Sequence, residues 1–238
     1  MKNYLSFGGG VNSVALHLLL LEQGVDFESV FVHHGTDWPE TYDYVAGFQW
    51  WLRQNGHKPI TILRPDIQGN TTLYNYCLNH QVIPSRMFKW CTDKFKTTPI
   101  YKYVETPCFM MIGFASDESG RAKLNYKNGV ENRFPLIESE ITRQGCKEII
   151  TAHGLPVPVK SGCYICYNQK PAQWKELRTN HPNLFCAAEK IEKNMNANRK
   201  IEGKKAIYIC GKPLRAVIEE DQMVLFKQYE YPPCQCGL

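Results

Sequence analysis

The chain has 238 residues, 43% of them hydrophobic and 21% charged, with a formal net charge of +5. That balance reads as a soluble globular protein with one sizeable core, or one domain with an appendage. No apolar run approaches the ~20 residues that a membrane-spanning helix needs, and the mild positive charge permits a nucleic-acid partner without requiring one.

Tyr4 to Phe7 suits a first strand, and the helix that follows spans about Asn12 to Gln23, with Val11, Val14, Leu18 and Leu21 on one face. Between them lies Ser6-Phe7-Gly8-Gly9-Gly10-Val11-Asn12-Ser13. Consecutive glycines at a strand-to-helix junction let the backbone curl tightly with its N–H groups facing one space, and the helix N-terminus adds partial positive charge there. The stretch reads as a phosphate cradle that is neither GxxxxGK[ST] nor GxGxxG. A plain glycine-rich turn capped by Asn12 is the alternative.

Glu28 to His33 is a second strand. Thr36 or Asp37 is the expected cap of a helix running from Pro39 to about Gln54, and Pro59 to Leu63 is a third strand. Strands alternating with helices at this spacing predict an α/β fold, a mostly parallel sheet with helices on both faces. Ligands in such sheets bind beyond the carboxyl ends of the strands, where the cradle and the His33-His34-Gly35-Thr36-Asp37 segment both lie. Further elements follow in order: a helix over Leu73–His80, a helix from a Thr92 cap to Val104 and a strand over Cys108–Phe114. Asn128-Gly129 reads as a turn, Arg133–Ile137 as a short strand and Thr142–His153 as a helix ended by Gly154. Helices over Pro171–Thr179 and Pro182–Met195, a strand over Ala206–Cys210 and a helix over Leu214–Gln228 complete the chain. The expected division is a nucleotide-binding α/β domain over 1–160 and a helical, cysteine-bearing module over 161–238 packed on it.

Ten cysteines is a high count. The N-terminus enters a strand almost at once, with no signal peptide in view, so a cytoplasmic setting is expected and structural disulfides are not. The thiols are then fillers, metal or cluster ligands, or nucleophiles. Cys163 and Cys166 form a Cys-x-x-Cys suited to one metal centre, whereas Cys77, Cys108, Cys146 and Cys210 read as buried fillers.

With these pieces in place the chain resembles the phosphoadenosine phosphosulfate (PAPS) reductase family, part of the adenine-nucleotide α-hydrolase or PP-loop ATP pyrophosphatase group. Five motifs carry the resemblance, in order, over roughly residues 3 to 195. GGGVNS resembles the PP-loop SGGxDS, with Gly8 for the first Ser and Asn12 for the Asp. HHGTDWPETYDYV is similar to the DTGxxFPET segment, and WCTDKFKTTP to the Cys-Thr…Lys…Pro segment. IGFASDESGR is like GxRxxES…R, with Ala115 where a basic residue is frequent. GCYICYNQ, followed by Trp174, His181-Pro182 and Glu189, resembles the C-terminal cysteine module.

The resemblance implies an adenine nucleotide held by Ser6, Gly8, Gly9, Gly10, Asn12 and Ser13, with His34, Gly35 and Thr36 near the nucleoside. It implies Arg121 and Lys96 as anion contacts, with Lys94 a weaker candidate, and Asp117 or Glu118 as help for Mg²⁺ if ATP is the substrate. It also implies a [4Fe-4S] cluster on Cys91, Cys163 and Cys166, with Cys186 the choice for a fourth ligand ahead of Cys234; zinc is the alternative. The Cys236-Gly237-Leu238 ending is similar to the ECGLH-like motif of sulfonucleotide reductases, in which a cysteine attacks the sulfur and a thioredoxin-like dithiol partner resolves the thiosulfonate.

Two enzyme readings follow. In the lead reading ATP activates an acceptor by adenylation, pyrophosphate leaves, and cluster-assisted sulfur transfer completes the reaction. The other is PAPS or adenosine phosphosulfate reduction on Cys236. A third reading is a non-catalytic nucleotide- or nucleic-acid-binding accessory protein. Transfer RNA, DNA and a small metabolite are all open as acceptor, and the family often forms homodimers.

Overall fold

A computed structural model describes residues 1–85, 87–122, 126–159 and 161–220. Six strands form one sheet in the order β3-β2-β1-β4-β6-β5: β1 (Lys2–Ser6), β2 (Glu28–Val32), β3 (Thr61–Leu63), β4 (Cys108–Ile112), β5 (Tyr126–Lys127) and β6 (Val130–Arg133). All neighbours pair in parallel except β5, which forms an antiparallel hairpin with β6. Asn128 and Gly129, both at positive φ, make its two-residue turn.

Strand alternation sorts the core onto two faces. Leu5, Phe31 and Met111 point to one side, where they pack with α1 (Val11–Glu22), α2 (Pro39–Gln54) and α7 (Arg143–Ala152). Tyr4, Val30, Val32, Met110 and Ile112 point to the other, against Ile100 and Val104 from the end of α5 (Thr98–Tyr103). This is the expected mostly parallel α/β sheet with helices on both faces. A third apolar cluster joins α3 (Leu73–Asn79), α8 (Pro171–Asn180), α9 (Pro182–Ile201) and α10 (Leu214–Glu220) around Trp38, Phe95, Tyr164 and Trp174. Trp38 anchors it from the sheet side. Its indole donates to Gln169 Oε1 (3.0 Å), and Gln169 in turn donates to the Tyr164 carbonyl (2.9 Å).

Several local expectations change. Neither Thr36 nor Asp37 caps α2; Trp38 holds that position, and Pro39 opens the helix without a side-chain cap. The helix expected from Thr92 begins earlier, as α4 (Trp90–Thr92), after Lys89 at φ 44°. Thr92 is buried inside it, and a π-helical turn, Asp93–Thr97, connects α4 to α5. After β6, Pro135 starts a short helix, α6 (Pro135–Glu138), so Arg133–Ile137 is not a strand: proline has no N–H for a ladder but suits a first helical turn. Ala206–Cys210 is not a strand either. Its backbone is paired by α9 side chains: Asn196 bonds both polar groups of Ile207 (2.7 and 2.8 Å), and Glu192 accepts from Ile209 (3.0 Å). The expected Leu214–Gln228 helix is described as far as Glu220; its remainder, Cys234 and Cys236 lie outside the described residues. Among the described residues, no helix is long and apolar enough to cross a membrane.

Candidate functional site

The glycine-rich turn leaves β1 at Ser6 and enters α1 at Val11, at the carboxyl edge of the sheet. Gly9 has φ +68°, and a Cβ there would lie 2.9 Å from Val45 Cγ2, so the turn is pressed against α2 and needs glycine twice over. Ser13 closes the first helical turn. Its Oγ accepts from the Gly10 N–H (3.1 Å) and donates to the Gly10 carbonyl (3.0 Å). Capping by Asn12 is therefore corrected, because the Asn12 side chain is engaged elsewhere.

An open cleft of about 900 Å³, counting space continuous with solvent, lies over this turn. Ser6, Gly8, Gly10, Asn12 and Ser13 line it on one side, and Lys96, Arg121 and Arg143 bring three cations to it. Val32, Ile100, Ile112 and Phe114 supply apolar wall. Asn12 sits at the hub of a polar network, donating to Glu118 Oε2 (2.6 Å) and accepting from Arg143 Nη1 (3.3 Å). Glu118 also pairs with Arg121, whose guanidinium stacks 4.5 Å over the Phe114 ring. Asp117 accepts the backbone N–H of Arg143 (3.2 Å). Both carboxylates named as Mg²⁺ candidates are thus engaged within the protein.

Sequence reasoning missed two residues here. Arg143 is the first residue of α7, directly after the Thr142 cap, whose Oγ1 accepts from the Gly145 N–H (3.2 Å). A cation at a helix N-terminus opposes the helix dipole, and that anomaly was a legible signal. Gly113 follows β4, and a Cβ there would stand 3.1 Å from the backbone of Asn12 and Ser13. Its missing side chain lets β4 approach the first turn of α1.

A second polar group is fully enclosed. Gly162–Tyr164 runs alongside Thr36–Trp38: the Trp38 N–H donates to Gly162 O (3.0 Å) and the Tyr164 N–H to Thr36 O (2.9 Å). This pairing brings three side chains together. His34 Nε2 is 3.2 Å from Asp37 Oδ2 and 3.7 Å from Cys163 Sγ, and Cys163 Sγ is 3.8 Å from Asp37 Oδ1. His34 Nδ1 bonds Thr36 Oγ1 (2.8 Å), the Asp37 N–H donates to the Tyr42 hydroxyl (3.0 Å), and Lys96 Nζ stands 4.0 Å from Asp37 Oδ1. Burial alone would push the Asp37 carboxyl up. The charges of His34 and Lys96 and the His34 hydrogen bond outweigh it and bring the carboxyl down to about 2. The three donor atoms, all within 4.8 Å of one another, are a set that can hold a metal ion.

The structure therefore separates the candidate residues. His34 and Thr36 are fully buried against Cys163 and do not line the cleft, nor does Gly35. His33 stacks on Tyr42, with ring centroids 4.3 Å apart. Cys91, Cys163 and Cys166 line one narrow cavity together with His34 and Lys96, whereas Cys186 is exposed on α9 and does not line it. Lys96 borders both the cleft and this cavity; Lys94 instead lies 5.7 Å over the Tyr76 ring. Cys77, Cys108 and Cys146 are buried, and desolvation pushes their thiols up, Cys146 to about 12. Cys210 is half-buried, and desolvation pushes it up to about 11.

No family model matches the chain. Uncharacterized protein MJ0973 from Methanocaldococcus jannaschii is 25% identical over 213 residues, covering 77% of this chain and 46% of that protein. The chain thus spans about half the length of this curated relative. Two solved structures are similar. One is a phosphoadenylyl-sulfate (PAPS) reductase from Candida auris in a phosphate complex: 14% identity, 68% of this chain and 81% of that one, TM-score 0.48. The other is the U34-tRNA thiolase NcsA from Methanococcus maripaludis with its [4Fe-4S] cluster: 15% identity, 97% and 83%, TM-score 0.45.

Proposed function

We propose that the chain is an enzyme of the PP-loop adenine-nucleotide type that binds ATP in the cleft over Gly8–Ser13 and uses it to adenylate an acceptor, releasing pyrophosphate. One observation carries this reading: a glycine turn at a helix N-terminus, facing Lys96, Arg121 and Arg143 across a cleft at the carboxyl edge of a parallel sheet. Backbone donors of the turn take the phosphates, and the two guanidiniums meet charge that builds on the leaving pyrophosphate. Val32, Ile100 and Ile112 offer an apolar wall for the base. Acceptor oxygen attacks the α-phosphorus, the bond to the bridging oxygen breaks, and a sulfur nucleophile then displaces AMP from the acceptor.

Cys91, Cys163 and Cys166 line one cavity, and this donor set fits a three-thiolate [4Fe-4S] centre. Held there by Cys91, Cys163 and Cys166, such a centre would supply iron able to bind and hand on sulfur. Lys96 borders both this cavity and the cleft, which supports a sulfur site next to a nucleotide bound in the cleft. Transfer RNA is the acceptor to test first.

The test is pyrophosphate release from ATP by the full chain with unmodified tRNA. Release that depends on tRNA and is lost in Arg121→Ala is the expected result. One observation favours a second reading, sulfonucleotide reduction: Asn12 stands where a PP-loop carboxylate would, and its amide is already committed to Glu118 and Arg143. Binding of PAPS without Mg²⁺, with no binding of ATP, would replace the first reading by the second.

A further inference from the structure

Two polar atoms converge on one nitrogen of the His34 ring. Asp37 Oδ2 lies 3.2 Å and Cys163 Sγ 3.7 Å from Nε2, while Nδ1 is taken by Thr36 Oγ1 at 2.8 Å. A nucleophile–histidine–carboxylate relay has another geometry, with the nucleophile on one ring nitrogen and the carboxylate on the other. Here the carboxylate and the thiol share one nitrogen, so the group cannot pass a proton along its length. Three donor atoms within 4.8 Å of one another describe a cation site instead.

The distances can be set against that possibility. With metal–sulfur near 2.3 Å and metal–nitrogen and metal–oxygen near 2.0–2.2 Å, a tetrahedral ion spaces its ligand atoms roughly 3.3–3.6 Å apart. His34 Nε2 stands 3.2 Å from Asp37 Oδ2 and 3.7 Å from Cys163 Sγ, the other carboxylate oxygen, Oδ1, stands 3.8 Å from the sulfur, and one donor atom of each residue lies within 4.8 Å of the other two. One thiolate, one imidazole and one carboxylate make a donor set suited to a single borderline ion. The surrounding contacts agree. A histidine ligand is generally oriented by a hydrogen bond at its other nitrogen, as Thr36 does here, and Tyr42 fixes the backbone of Asp37. All three ligand residues are buried, and two carry or can carry negative charge. A dication balances a buried carboxylate and thiolate in a way that Lys96, 4.0 Å from Asp37, does only in part.

We propose that His34 Nε2, Asp37 and Cys163 Sγ bind one zinc-class divalent cation tetrahedrally, with the fourth position exchangeable. Three protein ligands and one open position is the composition of zinc sites that do chemistry, as opposed to closed four-ligand structural sites. The ion keeps Cys163 as a thiolate and offers its fourth position to water, hydrosulfide or an exogenous thiol. His34 and Cys163 both line the cavity that holds Cys91 and Cys166, so an incoming sulfur ligand would meet the ion there. The proposal stands independently of the nucleotide reading. Cys163 cannot serve the ion and an iron–sulfur centre at once, so the two are alternative occupants.

The experiment is cobalt substitution of the full chain after removal of metal with a chelator. The expected result is one equivalent of Co²⁺ per chain, strong tetrahedral visible bands, a thiolate-to-cobalt charge-transfer band, and visible bands that move when azide is added. Cys163→Ser should abolish the charge-transfer band, and Asp37→Asn should weaken binding at least tenfold. Cys91→Ser and Cys166→Ser should leave the spectrum in place. Weak octahedral bands or no thiolate band in the unmodified protein would overturn the proposal without reference to how any variant folds. A spectrum indifferent to azide and altered in Cys91→Ser or Cys166→Ser would overturn the exchangeable position.

Discussion

The cleft over the glycine turn and the enclosed His34–Asp37–Cys163 group lie at the same sheet edge but are built in opposite ways. The cleft is open, it sets the backbone of the glycine turn opposite the side chains of Lys96, Arg121 and Arg143, and much of it is local: Ser6 to Ser13 is one continuous stretch. The enclosed group is buried, made of side chains, and joins residues 129 and 126 positions apart. Burial makes each polar atom in it depend on a specific partner. The helical half beyond residue 161 repeats that second style, with Glu189 and Glu192 both buried on α9. The difference predicts that the buried half shows itself in stability and pH dependence, and the cleft in ligand affinity.

The largest expected effect tests the buried half. Burial pushes the Glu192 carboxyl up to about 7, helped by the Glu189 charge and opposed by the N–H groups of Ile209 and Leu214. A carboxyl whose folded pKa is raised contributes stability that is complete below its unfolded value, 4.5, and is lost as pH rises through about 7. Between pH 5 and 8.5 the chain should lose up to ~3 kcal/mol of unfolding free energy from this group. Urea titrations across that range check it, and Glu192→Gln should flatten the slope. An unchanged slope would mean that the buried half carries no such ionisation.

The next effect sits where the cleft depends on tight packing. Gly113→Val should cost about 2 kcal/mol, because its branched side chain meets the Asn12–Ser13 backbone, which cannot move without shifting α1. Nucleotide affinity should fall with it, since the same displacement opens the glycine turn. Thermal unfolding and ATP titration on one sample read both. Loss of stability with unchanged affinity would separate the turn from the ligand.

How much of this was legible follows the same division. The parallel strand–helix alternation, the two covered faces and the glycine turn rest on short-range periodicity and on the glycines of a single junction, and the sequence shows those directly; the sheet order and the β5–β6 hairpin depend on long-range pairing and were not legible. The His34–Asp37–Cys163 group was not legible as a unit. His34 and Thr36 read as neighbours of the nucleoside, Asp37 as a cap and Cys163 as half of a Cys-x-x-Cys, because only the long-range pairing of Gly162–Tyr164 with Thr36–Trp38 brings them together. Cys186 shows the converse: it was grouped with the other cysteines by residue type, and the helix places it at the surface. Arg143 falls between the two cases, since its position at a helix start opposed the dipole in plain view. Arg143→Ala should weaken nucleotide binding about tenfold, as expected for one charge-assisted contact to phosphate, with little change in melting temperature. Equal loss of affinity and stability would assign Arg143 to the scaffold.

The smallest effect is the most discriminating for the cleft. By motif alone, Asn12→Asp restores a PP-loop carboxylate and should improve ATP binding. By structure, it places a carboxylate 2.6 Å from Glu118 Oε2 and removes the amide donor that now bonds it. Arg121 and Arg143 offset part of that repulsion, so a net cost of ~1 kcal/mol in stability is expected. Glu118→Gln, combined with Asn12→Asp, restores a donor–acceptor pair and should recover most of the loss. A double-mutant cycle read by urea unfolding therefore separates the two views. Coupling between positions 12 and 118 means that Asn12 was set by its neighbours in this cleft. Additive effects, with tighter Mg²⁺-dependent ATP binding in Asn12→Asp, mean that the site works as the motif implies and that the network seen around Asn12 gives way when nucleotide arrives.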